Sequence, residues 1–69
     1  MSYKGWKQKD GLYTNPAYPG WEISRDFLGR RTVWRTWLNG APMGVVNSTL
    51  RWAIASIQQL TAPQEVKQP

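Results

Sequence analysis

Asn39 and Gly40 constrain the fold of this chain more strongly than any other two neighbouring residues. A two-residue β-hairpin turn of type I′ needs a positive φ angle at both central positions, and Asn followed by Gly meets this need well. The segment before the turn, Arg31–Leu38, is rich in Val, Thr and Trp, which suit a pleated strand. Residues 41–46 are expected to form the return strand, and Pro42, which has no amide hydrogen to donate, predicts that this strand lies at a sheet edge.

A second turn, at Leu28 and Gly29, predicts a strand over residues 21–27 and therefore a three-stranded antiparallel meander. Side chains alternate between the two faces of a strand, so the register decides which of them meet. The two turns together predict these cross-strand partners: Phe27 with Arg30, Ile23 with Trp34, Trp21 with Thr36, Leu38 with Ala41, Thr36 with Met43, and Trp34 with Val45.

This register predicts one apolar face and one charged face. The apolar face would consist of Trp21, Ile23, Phe27, Trp34, Leu38, Met43 and Val45. On the charged face, Glu22 lies opposite Arg35 and Asp26 lies opposite Arg31. A shift of one residue would mix the two sets, so the separation of apolar from charged side chains supports the register.

Residues 47–62 are predicted to form a helix that packs on the apolar face of the sheet. Its N-cap would be Asn47 or Ser48, whose side-chain oxygens can accept from the first free amides, and Pro63 would end it. The apolar stripe at helical spacing consists of Leu50, Ala53, Ile54, Ile57 and Leu60. The expected fold is therefore α+β, a three-stranded antiparallel meander packed against one C-terminal helix.

The segments on either side of this βββα unit, residues 21–62, have a different character. Residues 1–20 are basic and aromatic and are expected to form an N-terminal arm, with a short hairpin between residues 6–9 and 12–15 if Asp10 and Gly11 make a turn. Residues 63–69 are polar and are expected to form a flexible tail.

The composition argues against an enzyme. The chain has 69 residues, no His and no Cys, so the commonest general base, the thiolate nucleophile and the usual transition-metal ligands are missing. Its four carboxylates and its small core do not suggest a catalytic cleft. We therefore expect a binding protein with no catalytic residues, no cofactor, no metal and no small-molecule substrate.

The charge of the chain points to an acidic partner. Nine Lys and Arg against four Asp and Glu give a net charge of +5, which favours nucleic acid, with DNA the leading candidate. No apolar run approaches the ~20 residues that cross a membrane, and no signal peptide is evident, so we expect a cytoplasmic protein that does not bind membranes.

Two groups of residues are candidates for contact with nucleic acid. Arg31, Arg35 and Trp37 lie on the charged face of the predicted sheet, where they could contact bases and phosphates. In the N-terminal arm, basic residues alternate with aromatic ones and could anchor on phosphates; these are Lys4, Lys7 and Lys9. The alternative for the sheet residues is a solvated face of weak ion pairs.

A meander followed by one C-terminal helix, with Trp and Arg on its strands, resembles the small βββα domains of tyrosine-integrase arm-binding regions and plant AP2-type factors. The resemblance covers residues 21–60. It implies that the exposed sheet face enters the major groove of DNA through Arg31, Arg35 and Trp37, with Arg25 or Arg30 at the rim. A regulatory or recombination-accessory role would follow.

Trp52 indicates a competing function. It falls outside the apolar stripe of the helix and next to Arg51, so the two could bind a protein partner. The compact, Trp-rich chain also looks like the short accessory proteins of bacteriophages, which implies an inhibitor or adaptor that binds a host protein. A homodimer through Trp52 is a further alternative, and so is an N-terminal arm that folds back over Trp52 or Trp37.

Overall fold

The structure of the protein is a computed structural model, in which residues 5–61 are described, apart from the side chain of Val45. Lys4, Pro63 and the tail predicted for residues 63–69 lie outside that range. Its elements are β1 (Lys7–Lys9), β2 (Leu12–Thr14), β3 (Trp21–Leu28), β4 (Arg31–Leu38), β5 (Ala41–Asn47) and α1 (Leu50–Leu60). The fold is α+β with one C-terminal helix, as predicted, but the antiparallel sheet has five strands in the order β1-β2-β3-β4-β5, where three were expected.

The two additional strands come from the segment predicted to be an arm. Asp10 and Gly11 both have positive φ angles, 54° and 80°, and make the two-residue turn between β1 and β2. β2 then pairs with β3, with Leu12 opposite Ser24 and Tyr13 opposite Ile23. Residues 7–14 are thus part of the sheet and not a separate arm.

The register between β3 and β4 differs from the prediction by two residues. The turn falls at Gly29 and Arg30, so Leu28 pairs with Arg31 and Ile23 pairs with Thr36 instead of Trp34. A turn placed one residue later moves every partner by two positions, and a shift of two keeps each side chain on its face. The division of β3 and β4 into two faces was therefore correct although the partners were wrong.

The turn at Asn39 and Gly40 is confirmed, with φ angles of 52° and 81°. Leu38 pairs with Ala41 as predicted, and β5 is an edge strand. Beyond this point a β-bulge sets residues 43–45 against Thr36, so Trp34 pairs with Asn47 and not with Val45. Gly44, at a φ of 75°, supplies the left-handed backbone that such a bulge needs.

The helix α1 packs on one side of the sheet, against β3, β4 and β5, and starts later than predicted. Its N-cap is Thr49, whose Oγ1 accepts from the Trp52 amide at 3.1 Å. Asn47 and Ser48 are not the cap because β5 continues through Asn47. No helix in residues 5–61 is long and apolar enough to cross a bilayer.

The core lies between α1 and the sheet. Its buried members are Trp6, Tyr18, Trp21, Ile23, Leu50, Ala53, Ile54 and Ile57. Three residues predicted to belong to it are exposed instead: Phe27, Met43 and Leu60. Phe27 lies on the side of the sheet that carries α1 but toward its far end, and Leu60 is the last helical residue.

Trp6 and Tyr18 complete the core from the N-terminal segment. Their rings stack with centroids 5.7 Å apart. The loop between β2 and β3 is held by hydrogen bonds from the Tyr18 amide to the Asn15 carbonyl, 2.9 Å, and from the Asn39 amide to the Gly20 carbonyl, 2.8 Å. Aromatic side chains let a small domain bury a large area with few residues, so the N-terminal segment contributes to stability.

Ile54→Ala is expected to destabilise the protein by roughly 2–5 kcal/mol, because it leaves a cavity under the helix. A domain of this size has a small free energy of unfolding, so Ile54→Ala could unfold it completely. Ile54→Val, which is expected to lower the free energy of unfolding by about 0.5–1.5 kcal/mol, is therefore measured as well. Urea unfolding followed by circular dichroism measures both. Trp52→Ala, at an exposed helical position, is the control, and a larger loss there than for Ile54→Val would contradict the helix orientation.

Candidate nucleic-acid interface

The side of the sheet that faces away from α1, called here the outer face, gathers most of the residues predicted to bind nucleic acid. Tyr13 and Ile23 pair on the side of the core, so their strand neighbours point to the outer face. The same alternation assigns to the outer face Lys7, Lys9, Leu12, Thr14, Glu22, Ser24, Asp26, Leu28, Arg31, Val33, Arg35, Trp37, Pro42 and Val46.

One row of cross-strand partners crosses this face from edge to edge. It runs through Lys9, Leu12, Ser24, Arg35 and Val46, one residue from each strand. Three strand spacings separate Lys9 from Arg35, a distance of about 14 Å. Two cations therefore flank a short apolar and hydroxyl-bearing surface.

Arg35 is held by an ion pair with Asp26. Its Nε donates to Asp26 Oδ2 at 2.7 Å, while Asp26 Oδ1 accepts from the Phe27 amide at 2.8 Å. The Phe27 hydrogen bond, and after it the Arg35 contact, lower the pKa of Asp26. The pair replaces the predicted pair of Asp26 with Arg31, because the two-residue register shift brings Val33 opposite Asp26. The pair predicted between Glu22 and Arg35 is also absent from the described residues, since Glu22 lies opposite Trp37.

The orientation of Trp37 is fixed by a hydrogen bond to a neighbouring strand. Its Nε1 donates to Ser24 Oγ at 2.9 Å, so the indole lies across β3 and is half-buried. Val33, also on the outer face, is buried with 6% of its surface exposed. Part of the outer face is thus apolar and ordered.

The remaining predicted residues divide between the two sides of the fold. Lys7, Lys9 and Arg31 are exposed on the outer face. Arg30 is in the turn at its rim, whereas Arg25 lies on the opposite side with Trp34.

The sequence predicted the arm lysines and the sheet arginines as separate sites. The hairpin brings Lys7 and Lys9 onto the face that carries Arg35 and Trp37. A sequence signal for this placement exists: Lys7 and Lys9 are two residues apart just before the turn at Asp10 and Gly11, a spacing that puts both on the same face of a strand.

A second exposed patch lies on α1, on the other side of the molecule. Trp52 is 62% exposed and, with Arg51 and Ala55, lines a groove of about 420 Å³. Trp6 and Tyr18, two aromatic residues of the segment predicted to be an arm, lie in the core and leave Trp52 exposed. This patch is therefore distinct from the outer face.

Comparisons with known proteins supply no relative from which a function can be carried over. No family model matches the chain, and no match is found among curated proteins or among solved structures.

Arg35→Ala is expected to raise the pKa of Asp26 but to leave it below the ordinary value of 3.8, because the Phe27 hydrogen bond remains and lowers the pKa by more than desolvation raises it. A carboxylate whose pKa is lowered on folding stabilises the fold at neutral pH, and this contribution is lost as the pH falls through the lowered pKa. Carboxyl-carbon NMR over an acid titration measures the shift. Arg31→Ala is the matched control and should not move it; equal shifts in both variants would contradict the observed pairing.

Proposed function

We propose that the protein is a small non-enzymatic nucleic-acid-binding protein that contacts DNA through the outer face of its sheet. The observation that carries the proposal is the convergence of Lys7, Lys9, Arg31 and Arg35 on one face with Trp37. Two carboxylates share that face, and one of them, Asp26, is already paired with Arg35. The excess of cations supplies a counterion-release contribution to phosphate binding.

The width of the sheet bears on the form of DNA that is bound. Five strands at about 4.8 Å spacing span about 19 Å, whereas the major groove of B-DNA is about 12 Å wide. A three-stranded sheet of the kind that the sequence resembles would enter that groove more readily than this face. We therefore favour a single DNA strand lying along the outer face, in a regulatory or recombination-accessory role.

The chemistry of the outer face suits such a strand. The indole of Trp37, held against Ser24, offers a flat surface on which a base can stack. The ion pair of Arg35 with Asp26 engages only Nε of the guanidinium, so its terminal amino groups can donate to a phosphate. At the β1 edge of the sheet, the ammonium groups of Lys7 and Lys9 attract the phosphates of the DNA backbone.

Replacing Lys7 and Lys9 together by Ala is expected to weaken binding of oligothymidylate and to flatten its salt dependence, because each lost phosphate contact removes about 0.7 from the slope of log K against log salt. Fluorescence anisotropy across a series of salt concentrations measures the slope. Arg51→Ala removes one charge from the helix and is the control. An unchanged slope in the lysine variant, or an equal decrease per charge in the Arg51 variant, would contradict the proposal.

A second candidate function is supported by the patch on α1. An exposed tryptophan beside an arginine and a small residue is typical of a protein-binding hot spot, and Trp52 with Arg51 and Ala55 has this composition. The function would be that of a phage-type inhibitor or adaptor that binds a host protein, with a second copy of the chain as the alternative partner.

If this second function holds, Trp52→Ala will lose about 2 kcal/mol or more of partner affinity, with little dependence on salt. Capture from nuclease-treated bacterial lysate identifies a protein partner, and analytical ultracentrifugation tests self-association. Leu60→Ala, another exposed apolar residue of α1, is the control. Retention of every captured protein and of the oligomeric state by the Trp52 variant would refute a role for the patch.

A further inference from the structure

The helix covers only part of its side of the sheet and leaves a small aromatic pocket at the other end. Phe27, on this side, is 61% exposed. The pocket has a volume of about 180 Å³ and is lined by Gln8, Gly11, Tyr13, Arg25, Phe27 and Trp34. It is separate from the outer face, since its strand residues point to the opposite side of the sheet.

Two of the aromatic rings in the pocket are held in place. Tyr13 and Trp34 meet edge to face, with centroids 5.8 Å apart, and both pack against the core. The third ring, Phe27, is free on its exposed side, and the guanidinium carbon of Arg25 lies 6.0 Å from its centroid. The pocket therefore combines two fixed rings, an accessible ring and a cation.

This combination selects a class of ligand. The volume is below the roughly 300 Å³ of a drug-sized site, so the occupant is small. Aromatic rings attract flat rings and also cations, but Arg25 repels a cation, and none of the six lining residues is a carboxylate. A flat ring that carries an anionic group satisfies both conditions, and the amide of Gln8 can donate to and accept from the ring's polar edge.

We propose that the aromatic pocket binds one unpaired base of a nucleic acid strand. The base stacks on Phe27, its phosphate lies beside Arg25, and Gln8 hydrogen bonds to its edge. The inference deepens the proposed function and rests on it, because alternate residues of β1 serve the two sites: Lys7 and Lys9 face the outer side, while Gln8 faces the pocket. A strand that passes over the β1 edge can thus contact both.

The test is an NMR titration of the full chain with thymidine 5′-monophosphate at low salt. Resonances of Gln8, Arg25 and Phe27 are expected to shift, and ribose 5-phosphate, which has the phosphate but no base, should not reproduce the shifts. Phe27→Ala should weaken binding by about fivefold or more, the loss expected for one stacked base. Leu60→Ala is the control, since Leu60 is also exposed but is the last residue of α1 and does not line the pocket.

Four results would overturn the base site. These are no shift of the pocket resonances at millimolar nucleotide, equal binding of ribose 5-phosphate, equal losses in the Phe27 and Leu60 variants, and saturation of the pocket by a proline-rich peptide in preference to the nucleotide. Failure of the outer face looks different. In that case the nucleotide still shifts the pocket resonances, but the Lys7 and Lys9 variant leaves the salt slope for oligothymidylate unchanged.

Discussion

The pairing of β2 with β3 is the interaction on which the outer face and the aromatic pocket both depend. It turns a short basic hairpin into two further strands of the sheet, so that Lys7 and Lys9 share a face with Arg35 and Trp37. It also brings Tyr13 beside Trp34 on the other side. Without this pairing the hairpin that carries Lys7 and Lys9 would not be attached to the rest of the sheet. The aromatic pocket would then lose the wall that Tyr13 forms.

The two faces of the sheet divide the chemistry between them. The outer face carries most of the cations of the sheet and one indole, that of Trp37, whose Nε1 donates to Ser24. The side of α1 carries the core and, where the helix does not reach, the aromatic pocket. Phosphates need cations and bases need flat apolar surfaces. The alternation of side chains along β1 makes both accessible from one edge of the sheet.

Much of the fold followed from local features of the sequence. Asn39 and Gly40 fixed one turn through their backbone conformation, and the spacing of Ala53, Ile54 and Ile57 fixed the buried side of α1. The predicted strand register was wrong where the local sequence signal was ambiguous. Leu28 and Gly29 could not be distinguished from Gly29 and Arg30 as the turn, and the bulge at Gly44 depends on pairing with β4.

The residues of the candidate nucleic-acid interface could be predicted from the sequence, but the way in which the fold brings them onto one face could not. Alternation alone put Arg35 and Trp37 on one face, because a two-residue error in register preserves the face. The sequence by itself therefore determined β3, β4 and β5, the turn at Asn39 and Gly40, the side of each β3 and β4 residue and the position of Trp52 outside the apolar stripe of the helix. The tertiary structure alone decided that the hairpin joins the sheet and that Arg35 pairs with Asp26, since both contacts depend on which residues of neighbouring strands lie opposite each other.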